Sequence, residues 1–198
     1  MLSDQHLSLS LRRNTNPEFN LIHQFRFGLD QTRLWRNIII GMEQIHPLQF
    51  EVDVAAPVNE VWHAWTTEEG AITFFASQSH IDLKPGGSYE MYFDLDAPAG
   101  LRGSEGCVLL AYEEPVMLSF SWNAPPHLPA VRDQRTHVMV TLVPLDPGNK
   151  RVTLTHDGWG SGEDWQKARQ YFLRAWGEGV LPLLQKRFII GALDWGIH

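Results

Sequence analysis

The sequence predicts an α+β domain: a curved antiparallel sheet of about seven strands wrapped around a long C-terminal helix, with two short helices after the first strand. Three observations predict it. Short runs of alternating apolar and polar residues recur between turn signals from residue 50 to residue 156, the pattern of half-buried strands. One long helical period lies near the C-terminal end, where Trp165, Ala168, Phe172, Ala175, Trp176 and Gly179 fall at i, i+3 and i+4. An antiparallel sheet needs one covered face, and this helix is the element large enough to cover it.

The elements follow in order. Phe50, Val52 and Val54 alternate with Glu51 and Asp53 as a first strand. Pro57 ends it and presets a helix start, and Val58, Val61, Trp62 and Trp65 continue at helical spacing. Beyond Gly70, residues 71–76 read as a second helical turn carrying Phe74 and Phe75. Residues 80–83 read as a strand, Lys84-Pro85-Gly86-Gly87 as a tight turn, and residues 88–94 as a strand with Tyr89, Met91 and Phe93 on one face. A turn-rich loop at 96–103 leads to strands at 105–112 and 117–123, separated by Glu113-Glu114-Pro115. On the later strand Leu118, Phe120 and Trp122 face away from Ser119 and Ser121. Three prolines stiffen a loop at 124–133; residues 136–143 and 151–156 then form a last hairpin, and a glycine-rich connector at 157–162 enters the long helix. Gly177, Gly179 and Pro182 predict a kink, because proline removes a helical hydrogen bond and clashes one turn back. Leu183, Leu184, Phe188 and Ile189 predict that the helix resumes.

Residues 1–41 lack this order, so the domain is expected over 42–198. The leading segment reads either as an appendage, even an upstream over-read of the start with Met42 as the natural first residue, or as an N-terminal helix docked on the domain. It shows no secretory apolar core, and no run approaches the ~18 apolar residues of a membrane span. The 198 residues are 43% hydrophobic, enough for a real core, and the net charge of −7 argues against a nucleic-acid partner. A single cysteine, Cys107, excludes an intramolecular disulfide and makes a reducing cytoplasm the expected compartment.

Several blocks occur in a recognisable sequence: Ala56-Pro57 with Val61-Trp62; Pro85-Gly86-Gly87; Glu114-Pro115 followed by Leu118-Ser119-Phe120-Ser121-Trp122; residues 152–156 ending in His156; and Tyr171 with Trp176 and a downstream leucine pair. Together, over residues 48–184, they resemble the Hsp90-ATPase-activator-like branch of the SRPBCC (START-like) superfamily. The resemblance implies a helix-grip fold with a cavity between sheet and C-terminal helix. The superfamily includes lipid and hormone carriers and polyketide cyclases. The true Hsp90 activator has a second, chaperone-binding domain with no counterpart here, so the resemblance carries no co-chaperone role with it.

Ligand pockets are mainly apolar with a few fixed polar groups. Phe75, Tyr89, Met91, Phe93, Trp122, Met139, Trp165, Phe172 and Trp176 are the expected wall, several of them serving as core as well. A small apolar or lipid-like ligand is the expected partner, and a homodimer is allowed. Phosphate loops, HExxH and nucleophile elbows are missing, so no cofactor is implied. His137 and His156 lie on neighbouring strands, but a metal site needs more convergent ligands than these, and none is expected. Three residues could act as acid or base. Glu105 is either an inward carboxylate with a raised pKa or the exposed start of its strand. His137 shares the last hairpin with His156, and His156 is expected near the cavity mouth, where Asp157 could orient it. A hydrophobic-ligand binder, a cyclase- or hydrolase-type enzyme and a chaperone-associated module are thus the three readings. The lack of a convergent motif favours the binder.

Overall fold

The computed structural model describes residues 46–196. The expected boundary near Met42 lies outside them. Strand β1 (Leu48–Val54) is followed by helices α1 (Val58–Thr66) and α2 (Glu68–Ala71), then β2 (Gln78–Ile81), β3 (Tyr89–Tyr92), β4 (Leu109–Glu113) and β5 (Met117–Trp122). A short helix α3 (Pro129–Arg132) precedes the long hairpin β6 (Thr136–Asp146) and β7 (Asn149–Asp157). The C-terminal helix runs as α4 (Glu163–Arg174), a π-helical segment (Ala175–Val180) and α5 (Leu181–Ile190).

The seven expected strands form two sheets. Five pair antiparallel in the order β1-β7-β6-β5-β4, and β2 pairs with β3. The break is local. Ser88 still bridges Val108, and the N–H groups of Tyr89 and Gly86 donate to the carbonyls of Cys107 and Leu109. The ladder fails where Gly106 turns with φ +73°, which shortens the expected strand at 105–112 to its second half.

Alternation decides which residues go inside. Leu118, Phe120 and Trp122 on β5 and Val138, Val140 and Leu142 on β6 are buried against the helical layer. Trp65 stands edge-on to Phe74 and Phe75, and Tyr89 stacks on Phe120 with ring centroids 4.3 Å apart. The expected second helical turn begins earlier, at Glu68, because Thr67 caps it by accepting the Gly70 N–H. The expected kink is a π segment in which the Leu181 N–H reaches back to the Trp176 carbonyl. Pro182 then sits in the first turn of α5, where its missing N–H costs least. Among the described residues no helix is long and apolar enough to cross a membrane.

At Gly70 the two short helices touch through backbone. An added Cβ would lie 2.2 Å from the His63 carbonyl oxygen and 2.6 Å from the Ala64 Cα. Gly70→Ala is therefore expected to cost about 2–3 kcal/mol in denaturant unfolding, the upper range for overpacking. An unchanged midpoint would show that the helices separate freely.

Candidate functional site

A cavity of about 460 Å³ opens between the end of β5, the loops at 93–103 and 123–132, and the C-terminal helix from Tyr171 to Val180. Its inner wall is aromatic. Phe75 stacks on Trp122 (5.7 Å, 21°) and Phe172 on Trp176 (6.0 Å, 20°), and the two tryptophans join the pairs at 5.6 Å. Asp94, Arg102, Asn123, His127 and Tyr171 supply the polar lining. His127 meets the Tyr171 ring edge-on at 5.5 Å.

Five of the nine expected wall residues line this space: Phe75, Phe93, Trp122, Phe172 and Trp176. Tyr89 and Met91 share a face with Phe93, as alternation requires, but lie fully buried in the core; the Tyr89 hydroxyl donates to the Trp65 carbonyl at 2.8 Å. Met139 is on the opposite face of β6 from the buried Val138 and Val140. Trp165 packs in a separate cluster with Ala124, Leu128, Val131 and Ala168. What the periodicity did not reach is the loop contribution, including Pro125, Pro126, His127 and Arg132.

Arg132 joins the two loops. Its guanidinium is buried, donates to the carbonyls of Ala124, Gly100 (2.7 Å) and Gly103 (2.8 Å), and lies 3.5 Å from a Glu105 carboxylate oxygen. Glu105 lies on a turn, not on an inward strand face, and accepts the N–H groups of Gly100 (2.7 Å) and Gly103 (2.9 Å). Burial alone would raise its pKa. The N–H groups of Gly103, Gly100 and Arg102 and the Arg132 charge outweigh burial and hold the carboxyl below the usual range. Glu105 thus stays ionised as the counter-ion of a structural arginine.

His156 is fully buried behind the wall, not at the cavity mouth. An indole N–H can only donate, so the 2.9 Å contact from Trp176 Nε1 makes His156 Nδ1 the acceptor. Nε2–H then donates to Thr136 Oγ1 at 2.7 Å, and the Thr136 hydroxyl donates to the Trp122 carbonyl. Burial, aided by repulsion from His137, pushes the His156 pKa down to about 3, so the ring is neutral. Asp157 does not orient it. Adjacent strand residues face opposite ways, and the Asp157 carboxylate meets His137 Nδ1 at 2.9 Å on the other face. Cys107 is likewise buried, and burial first of all raises its thiol to about 12.

A curved antiparallel sheet closed by a C-terminal helix over an aromatic cavity defines a helix-grip protein. This chain belongs to the family of Activator of Hsp90 ATPase homolog 1-like proteins, whose model matches residues 55–178. Solved structures with the same fold include protein MLL2253 from Mesorhizobium loti (20% identity, 75% of this chain and 100% of that one, TM-score 0.57). The Aha1 dimer from Colwellia psychrerythraea is similar at 14% identity (74% and 98%, TM-score 0.57), and CalU16 from Micromonospora echinospora at 23% (76% and 78%, TM-score 0.51). No match was found among curated proteins.

Proposed function

We propose that this protein binds a small, flat, largely apolar molecule in the cavity between the sheet and the C-terminal helix. The observation that carries the reading is the pair of stacked aromatic couples along one side of a cavity sized for such a ligand. Flat rings stack on such a wall, and Arg102, Asn123 and His127 can meet a polar edge. Acid–base chemistry inside the cavity has less support. Glu105 is engaged by Arg132 and backbone N–H groups, His156 is neutral behind Trp176, and His137 faces away from the core.

The test uses 1-anilinonaphthalene-8-sulfonate, an apolar aromatic probe whose naphthalene ring is flat, with tryptophan emission as the second readout. Native protein is expected to bind it with quenching of Trp122 and Trp176. Ala175→Trp fills the cavity from the π segment without deleting core, and is expected to weaken binding at least tenfold while the protein keeps its circular dichroism. Equal probe affinity in the folded variant would overturn the reading. Stable capture of Hsp90, with no small-molecule binding, would favour the chaperone reading instead.

A further inference from the structure

We propose that Ser119, His137 and Asp157 form an acyl-accepting site on the outer face of the sheet, independent of the cavity. They come from three adjacent strands, β5, β6 and β7. His137 pairs in register with Asp157 on one side, and its ring reaches diagonally to Ser119 on the other, one alternate position from its register partner Ser121. The result is a linear array: Ser119 Oγ to His137 Nε2 at 2.8 Å, and His137 Nδ1 to Asp157 Oδ1 at 2.9 Å.

The tautomer follows from the partners. A carboxylate can only accept, so Nδ1 carries the proton toward Asp157. In the neutral ring Nε2 is then the acceptor, and Ser119 donates its hydroxyl proton to it. Nucleophile, base and orienting acid therefore stand in the order and hydrogen-bond pattern of a catalytic triad. His137 and Asp157 keep 36% and 41% of their side-chain surface open, so the array meets solvent. Ser119 itself keeps 8%, which restricts it to a small acyl group. The residue opposite it on β4 is Ala111, exposed and short, which leaves that approach clear.

The chemistry is limited by what surrounds the array. β5 lies between β4 and β6, so its ladder N–H groups are committed and offer no oxyanion hole. The site should thus take an acyl group from a donor with a good leaving group, such as an aryl ester, and release it slowly. Ser119 Oγ attacks the ester carbonyl carbon while its proton passes to His137 Nε2, and Asp157 steadies the imidazolium. The tetrahedral adduct then collapses with cleavage of the bond to the leaving oxygen, which departs with the proton from Nε2. The products are acyl-Ser119 and a free phenol.

The full chain is incubated with 4-nitrophenyl acetate, nitrophenolate release is followed, and the acetylated peptide is located by mass spectrometry. The expected result is a burst of about one equivalent with the acetyl group on Ser119. His137→Gln slows it about 10²-fold, as loss of a general base does. His80→Gln, a surface histidine paired with Glu68, leaves it unchanged. Folding of each variant is checked by circular dichroism, but the wild-type map stands by itself. Acetyl found on lysines or on His137 with Ser119 unmodified overturns the proposal, as does a Ser119 rate equal in a folded His137→Gln variant.

Discussion

Arg132→Met is expected to destabilise the protein by about 3–5 kcal/mol and to abolish binding in the cavity. Methionine fills much of the same volume but donates nothing. The buried Ala124 carbonyl loses its donor, at a cost of about 1–3 kcal/mol for an unpaired buried acceptor; the Gly103 carbonyl keeps only the long contact from Asn123 Nδ2 (3.4 Å), and the exposed Gly100 carbonyl turns to water. Glu105 also loses its counter-ion, and breaking a buried pair from one side is the expensive way to remove it. Relaxation of the two loops recovers part of this, which keeps the total below the plain sum. The same relaxation widens the cavity, because Gly103, Asn123 and Pro125 belong to the loops that Arg132 ties together. Urea unfolding measures the first effect and probe titration the second. A variant within 1 kcal/mol of wild type would show that the arginine is a spectator.

Glu105→Gln separates the charge from the hydrogen bonds. It should cost less, about 1–2 kcal/mol, since Arg132 keeps its carbonyl partners. The pH response gives the sign. A carboxyl held below its ordinary pKa stabilises the fold above the unfolded value near 4.3 and loses that contribution as pH falls through the folded value. The gap between wild type and Glu105→Gln should therefore be full at pH 7 and shrink in acid below about pH 4.

Parity made much of this molecule legible in the sequence. The alternation along residues 117–122 assigned Leu118, Phe120 and Trp122 to one face, and all three are buried. Parity does not say how far along the sheet the closing helix reaches. Tyr89 and Met91 were therefore expected in the wall, whereas the core closes over them and only Phe93 emerges. The loop contribution was hidden for a different reason. Arg132 and Glu105 are 27 positions apart in turn-rich sequence, and only the folded chain brings them together. The Ser119–His137–Asp157 array was hidden by register. A one-residue slip in the last hairpin would place Asp157 opposite a different partner, and the irregularity between Pro144 and Asp146 keeps that register from being read off the turn.

His156→Ala should have an effect comparable to that of Arg132→Met, about 3–5 kcal/mol, because it combines a core cavity with two stranded polar groups. The Trp176 N–H loses its acceptor and Thr136 Oγ1 its donor in a region closed by Trp159 and Phe172. His156→Gln separates packing from titration, since an amide can still donate and accept but takes up no proton. The wild-type pH profile is the sharper measurement. Its folded pKa of about 3 lies below the ordinary value near 6.5, so between them the unfolded chain binds a proton that the native protein refuses. Stability contributed by the neutral ring is thus full above about pH 6.5 and is lost as the pH falls toward 3. From pH 7.5 to pH 5, a window above the Glu105 titration, the loss should be about 2 kcal/mol in wild type and close to nil in His156→Gln. Parallel profiles for the two proteins would mean that the ring takes its proton without unfolding, and that Trp176 is held in the cavity wall by packing alone. A flat profile in the variant would make the neutral histidine the group that ties Trp176 to the backbone of Trp122, one side of the cavity to the other.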